Sequence, residues 1–272
     1  VSEWKNIDGV RIHYQEAGSA RDDSPVLLLV HGWAGCAADW EKLLAVLPPT
    51  LRAIAVDLPG CGLSDKPDAP YDMPFFLDAL RSFCAALGLT RLVLAGHSMG
   101  GLVAVHFTAR FPDMVEKLVL IDPYGLKGEE VGLRFLARLG PVVNLAFLLN
   151  TRLFIEWAMK ANVLHEPAPG LLKSTVESTA GSILGREGAR ALARTTKSLI
   201  AREHVEVLLP TLSHETLLLW GEQDRLLPPR WAEQFASRLR SAEVHRIAGA
   251  GHMPMLEEPE AVAELITEFI LG

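Results

Sequence analysis

Five residues of this chain have the types and spacing of a displayed nucleophile. Gly96-His97-Ser98-Met99-Gly100 fits the pattern G-x-S-x-G. The apolar run Arg91-Leu-Val-Leu-Ala95 precedes it, and Gly101-Leu-Val-Ala-Val-His-Phe-Thr-Ala109, apolar at helical spacing, follows it. A serine between a strand and a helix sits on a tight, strained turn, and only small residues fit two positions to either side of it. Such a turn lifts the hydroxyl out of the sheet and over a helix N-terminus, where negative charge is favoured. A glycine-rich turn with an N-capping serine has the same five letters; the flanking strand and helix favour the nucleophile.

A serine hydroxyl needs a base, and the base needs an orienting carboxylate. On a strand–turn–helix scaffold of this kind they follow in the order Ser, Asp or Glu, His. The acid expected here is Asp224, in Gly221-Glu222-Gln223-Asp224-Arg225, just past the strand-like Glu215-Thr-Leu-Leu-Leu-Trp220. Open α/β sheets place their chemistry beyond the C-terminal ends of strands. Glu222 is a neighbour expected to face solvent. Asp122 is the stronger rival, because it also ends a strand, Val115-Glu-Lys-Leu-Val-Leu-Ile121. The base expected is His252, in Gly249-Ala250-Gly251-His252-Met253-Pro254, on a loop between the strand-like Ala242–Ile247 and a last helix from Pro259. Gly251 would let that loop bend. His245 lies inside a strand, and His214 precedes the acid, so neither fits the order.

Acyl transfer also needs donors for an oxyanion. One is expected from the backbone N–H of Met99, the residue after the nucleophile. The other is expected from the N–H of Trp33, in His31-Gly32-Trp33, which follows the buried parallel strand Pro25-Val-Leu-Leu-Leu-Val30. His31 itself is expected to be structural.

These pieces together resemble an α/β-hydrolase-fold enzyme. His31-Gly32-Trp33, Asp57-Leu-Pro-Gly-Cys-Gly-Leu-Ser64, Gly96-His-Ser-Met-Gly-Gly101, Gly221-Glu-Gln-Asp224 and Gly251-His252 stand in the family's order over nearly the whole chain. The Asp57–Ser64 stretch resembles a structural turn of the family and is assigned no chemistry. Family members that are haloalkane dehalogenases or epoxide hydrolases carry aspartate where this chain has Ser98. Members that cleave carbon–carbon bonds in ring-fission products typically have Trp after the catalytic histidine, where this chain has Met253. The resemblance is to the serine esterase and lipase-like branch, with a perhydrolase or haloperoxidase-like enzyme close to it.

The chain has 272 residues, 49% hydrophobic, and a net charge of −7. That fits one α/β domain with an insertion and a sizeable core. There is no basic run of the kind that binds nucleic acid and no apolar run long enough to span a membrane. The first residues, Val1-Ser-Glu-Trp-Lys, lack a charged-then-apolar leader, although a removed one stays open. Cys36, Cys61 and Cys84 are odd in number and widely spaced, which reads as free buried thiols in a reducing cytoplasm. No metal constellation and no dinucleotide motif is present, so no cofactor is expected. Oligomeric state is left open.

Strand-like runs near 10–16, 25–30, 51–57, 91–96, 116–121, 215–220 and 242–247, with helical segments at 74–88, 99–111, 229–240 and 259–271, predict a mostly parallel sheet flanked by helices. Val10–Glu16 alternates in polarity and predicts an antiparallel hairpin at one edge. From about Pro123 to Pro210 the strand signal stops and helical patterns take over. Residues 123–210 therefore read as a helical cap inserted into a core of residues 1–122 and 211–272. The cap would sit over Ser98, exclude water and shape a pocket. Its first part is apolar (Val131–Leu139, Val142, Val143, Leu145–Leu149, Leu153–Ile155, Trp157, Met159), expected mostly to pack the cap on the core and in part to line the pocket. Arg134, Arg138 and Arg152 interrupt that face and argue against membrane insertion. The second part, Leu171–Leu209, is more polar and leaves room for movement.

The function these features predict is hydrolysis of small to medium hydrophobic carboxylic esters through an acyl-enzyme. A carbon–carbon hydrolase with the same triad is the enzymic rival. A small-molecule receptor on the same fold is the non-enzymic one, and it would have no need of a triad.

Overall fold

The computed structural model describes residues 1–19, 25–127, 152–201 and 205–272. The chain opens with a hairpin, β1 (Ser2–Ile7) and β2 (Val10–Ala17), followed by β3 (Val26–Val30). A short turn of helix over Ala37–Trp40 leads into α1 (Glu41–Val46), then β4 (Ala53–Val56), α2 (Met73–Ala86), β5 (Leu92–His97), α3 (Met99–Arg110) and β6 (Val115–Ile121). Helix α4 covers residues 152–158, followed by α5 (Pro169–Ile183) and α6 (Gly185–Ala201). The core resumes with β7 (Glu215–Gly221), α7 (Arg230–Ala236), β8 (Ala242–Ile247), one helical turn over Pro254–Glu257 and α8 (Pro259–Leu271).

Among the described residues the strands form one eight-stranded sheet in the order β1-β2-β4-β3-β5-β6-β7-β8. Only the β1–β2 and β2–β4 pairings are antiparallel; the rest are parallel. The expected hairpin is present, and its outer strand is β1. Both faces of the parallel strands are buried because helices cover both, which is why β3 reads as an unbroken Val-Leu-Leu-Leu-Val. Leu28, Val30, Leu94 and Leu120 face α2 and α3, whereas Leu27, Leu29, Val93, Val119 and Leu217 face α1 and α8. Helix α2 starts at Asp72, whose carboxylate accepts the Phe75 N–H at 3.0 Å, a side-chain cap for an otherwise orphaned donor.

The order of strands reverses between β3 and β5, and at that point crossovers leave the sheet in opposite directions and open a crevice. Register fixes what lines it. Val30 pairs with Gly96, Gly96 with Leu120, and Leu120 with Leu218. The loops that leave β3, β5, β6 and β7 therefore emerge side by side.

Most of the apolar first part of the 123–210 segment, including Arg134 and Arg138, lies outside the described residues. In the rest, Ile155 is buried and Met159 packs on the core, while Leu153 and Trp157 are both 61% exposed. The polar second part is tied to the core. Ser182 Oγ donates to Gly35 O (3.1 Å) and accepts from Gly62 N–H (2.8 Å), and Trp33 Nε1–H donates to Thr196 Oγ1 (3.0 Å). Arg190 and Arg194 reach the carbonyls of Lys66 and Ala69. These bonds oppose the looseness that its composition suggested.

Candidate active site

Ser98 has φ 51 and ψ −115, outside the regions open to most L-residues, and it stands between β5 and α3. Packing makes the strain unavoidable. A Cβ on Gly100 would meet Val30 O at 2.1 Å, and one on Gly96 would meet Gly100 O at 2.2 Å. The turn thus closes only with glycine at both places, as the pentapeptide predicted. A backbone this over-determined is where strain of about 1–3 kcal/mol can persist.

His252 and Asp224 meet each other. His252 Nδ1–H donates to Asp224 Oδ2 at 2.7 Å, with both residues almost fully buried. Because a carboxylate only accepts, the bond places a proton on Nδ1. Asp224 Oδ1 accepts the N–H groups of Leu226 (2.7 Å) and Leu227 (2.8 Å), so the acid is held by the turn that follows it. Glu222 is exposed, as expected. His245 pairs with Glu243 on the surface, and His214 contacts Pro112 O.

The imidazole of His97, next to Ser98 in the chain, holds His252 from the other side. His97 Nε2–H donates to His252 O at 2.6 Å, and the two rings lie 4.8 Å apart. Burial, then the neighbouring His252, hold His97 well below the usual imidazole range, so its ring stays neutral. His31 is structural, as expected. Its Nδ1–H donates to Gly32 O (2.8 Å), its Nε2 accepts Leu58 N–H (3.1 Å), and burial lowers its pKa.

Of the two expected oxyanion donors, Met99 follows the serine in the chain, and Trp33 follows Gly32. A Cβ on Gly32 would lie 3.3 Å from Ser98 Cβ, so the loop carrying Trp33 packs against the nucleophile turn. Neither the Trp33 nor the Met99 N–H donates to an acceptor among the described residues. Asp57 is the centre of a structural knot, as its resemblance implied. It accepts the N–H groups of Ala37 and Leu63 and faces His13 Nδ1 at 2.7 Å. Burial opposes its charge, but these bonds, led by His13, hold it below the usual carboxylate range.

His13 Nε2 also accepts from Ser2 Oγ at 2.7 Å, giving a second Ser-His-Asp chain. Ser2, however, lies in the regular strand β1, without a strained turn or a helix N-terminus to display it. Residue types and distances alone do not make a nucleophile.

Two features escaped the sequence. Glu257 clasps the histidine loop to the segment before α5: its carboxylate accepts the N–H groups of His165, Gly251 (3.0 Å) and Met253 (3.2 Å), while His252 N–H donates to Val163 O (2.6 Å). Gly251 is required there by close approach rather than for bending, since a Cβ would meet Val163 O at 2.6 Å. The three cysteines are free and buried, and burial pushes the Cys61 and Cys84 thiols up to about 12.

Residues 25–259 match a family model described as the alpha/beta hydrolase fold. The chain is 32% identical over 262 residues to a pimeloyl-acyl-carrier-protein methyl ester esterase of Neisseria meningitidis serogroup A, covering 95% of this chain and 80% of that protein. A solved thermophilic esterase from Thermogutta terrifontis superposes with a TM-score of 0.83 at 25% identity, covering 99% of this chain and 98% of that one. A bacterial membrane phospholipase A superposes with a TM-score of 0.81 at 30% identity, covering 99% and 85%.

Proposed function

Since this chain belongs to the alpha/beta hydrolase fold family and has esterase-like relatives, we propose that it cleaves carboxylic esters of small to medium hydrophobic substrates through an acyl-enzyme on Ser98. The observation that carries this is the buried His252–Asp224 bond of 2.7 Å, anchored beside a serine held at φ 51. His252 Nε2 takes the proton of Ser98 Oγ as the oxygen attacks the ester carbonyl. Asp224 keeps Nδ1 protonated and stabilises the imidazolium that forms. The N–H groups of Trp33 and Met99 receive the oxyanion, each such donor being worth about 3–4 kcal/mol in the barrier. His252 returns its proton to the leaving alcohol. Water then attacks the acyl-enzyme with His252 again as base.

Residues 123–210 act in this proposal as the cap that closes the pocket. Trp33 links its nucleophile-side loop directly to α6 through Thr196, so the cap bears on an oxyanion donor as well as on the substrate. The test is turnover of p-nitrophenyl esters from acetyl to palmitoyl by the wild type and by Ser98→Ala. A clear optimum of chain length is expected in the wild type, with a loss on the order of 10⁶-fold in the variant. No turnover at any length, or turnover that survives Ser98→Ala, overturns the proposal.

A further inference from the structure

Two carboxyl groups are buried together behind the histidine. Asp122 ends β6 and Asp224 follows β7, on adjacent parallel strands paired through Ile121 and Leu219. One oxygen of each acid and one ring nitrogen of His252 lie within 4.8 Å of one another. Asp122 is fully shielded from solvent, and its backbone is held at φ 42, a left-handed conformation that few non-glycine residues adopt. Its Oδ1 accepts the Gly221 N–H at 3.0 Å. Its Oδ2 is sealed from water and meets no donor among the described residues.

The donors are unequally shared. Asp224 receives three N–H groups, from Leu226, Leu227 and His252. Asp122 receives one. Two negative charges this close in a dry site cannot both persist, so one acid takes a proton. The charge belongs where the donors are, on Asp224. The proton belongs on Asp122, and on Oδ2, because Oδ1 already accepts from Gly221.

We propose that Asp122 is a neutral carboxylic acid whose Oδ2–H donates to the Asp224 carboxylate, making it a positioning residue for the acid of the triad. This rests on the esterase reading for what Asp224 and His252 do, but not for the proton itself. Burial, then the charge of Asp224, hold Asp122 well above the usual carboxylate range, and Glu257 pushes the same way. His252 faces the pair through Asp224, and the neighbouring His97 is neutral. A hydroxyl donor here does two things that an apolar residue would not. It satisfies an oxygen that would otherwise be buried bare, and it holds Asp224 against the Nδ1–H of the base. It touches neither substrate nor Ser98.

The experiment compares wild type, Asp122→Asn and Asp122→Leu, with p-nitrophenyl butyrate as substrate. Asparagine keeps both contacts, since its amide oxygen accepts from Gly221 and its NH₂ donates to Asp224. Asp122→Asn is therefore expected to turn over within about threefold of wild type, with the acid limb of kcat/KM against pH unmoved. Asp122→Leu is expected to lose about 10- to 100-fold in kcat with little change in KM, and to displace that limb. An acid limb moved by a full unit in Asp122→Asn would mean that Asp122 is charged, and unchanged kcat in Asp122→Leu would mean that it positions nothing. Either result overturns the inference.

Infrared spectroscopy gives a readout that needs no turnover and no folded variant of Leu. At pH 8, where Asp39 has released its proton, the wild type should show a protonated-carboxyl stretch that is missing in Asp122→Asn. Wild type that cleaves no ester but keeps this band refutes the esterase reading alone. Loss of the band in wild type refutes the proton on Asp122.

Discussion

At the scale of single residues, two neighbouring buried acids share their hydrogen-bond donors unequally. Sequence could only rank two carboxylates, because both end adjacent strands; His252 bonds to one of them, Asp224. Chain order narrowed the choice to Asp224 and Asp122. Side-chain direction favours Asp224 as the partner of His252, and that direction comes from the turn that hands Asp224 two backbone N–H groups. Asp224→Asn is expected to present an amide where Nδ1–H needs an acceptor-only partner, favouring the wrong imidazole tautomer. Turnover should fall on the order of 10⁴-fold with the fold intact, measured as kcat beside an unchanged circular dichroism spectrum. A loss of less than tenfold would return the role to Asp122. The strained turn at Ser98 was legible because local chemistry dictates it: a turn closed this tightly needs glycine on both sides.

At the scale of elements, the parallel strands and their helices were legible because burial on both faces leaves an unbroken apolar run. Strand β1 was not. Ser2-Glu-Trp-Lys-Asn-Ile is an edge strand, half solvated, and its polar residues look like a tail until β2 pairs with it. Glu257 was illegible for a different reason, since its partners at 165, 251 and 253 come together only in three dimensions. Its clasp predicts a shared fate for two elements. Glu257→Ala should free the histidine loop from residues 163–165 and leave the three part-buried amides of His165, Gly251 and Met253 unpaired. The expected cost is on the order of 2–3 kcal/mol, seen as a drop of several degrees in Tm, with kcat falling and KM rising together. A variant that melts lower but keeps both constants would limit Glu257 to stability.

At the scale of the molecule, the buried titratable groups set how stability varies with pH. His31 and His97 are held neutral, so below about 6.5 the unfolded chain binds protons that the fold does not; their contribution is lost as pH falls. Asp39 works the other way. Burial pushes its carboxyl up to about 7, so from about 4 to about 7 the fold keeps a proton that the unfolded chain has released, and stability falls as pH rises. Asp122 adds to that fall. The opposed groups offset each other between about 5 and 6.5, and above that only the acids remain. Beyond about 8.5 the unfolded chain also loses thiol protons that Cys61 and Cys84 retain up to about 12. Each group contributes a slope of about 1.4 kcal/mol per pH unit at most. The urea midpoint should be level from pH 5 to 6.5, lower at pH 8 and steeply lower above pH 9. Asp39→Asn should remove part of the first decline, and a midpoint that rises from pH 6.5 to 8 would contradict this assignment. Two of the three buried thiols, Cys36 and Cys84, also make the chain a recorder of its own opening. Cys36 sits on the loop that carries Trp33, its N–H held by Asp39, while Cys84 is deep in α2. A thiol reagent can reach either one only when the structure around it parts. The delay before each is labelled would time two separate events, the loosening of the loop and the melting of the core.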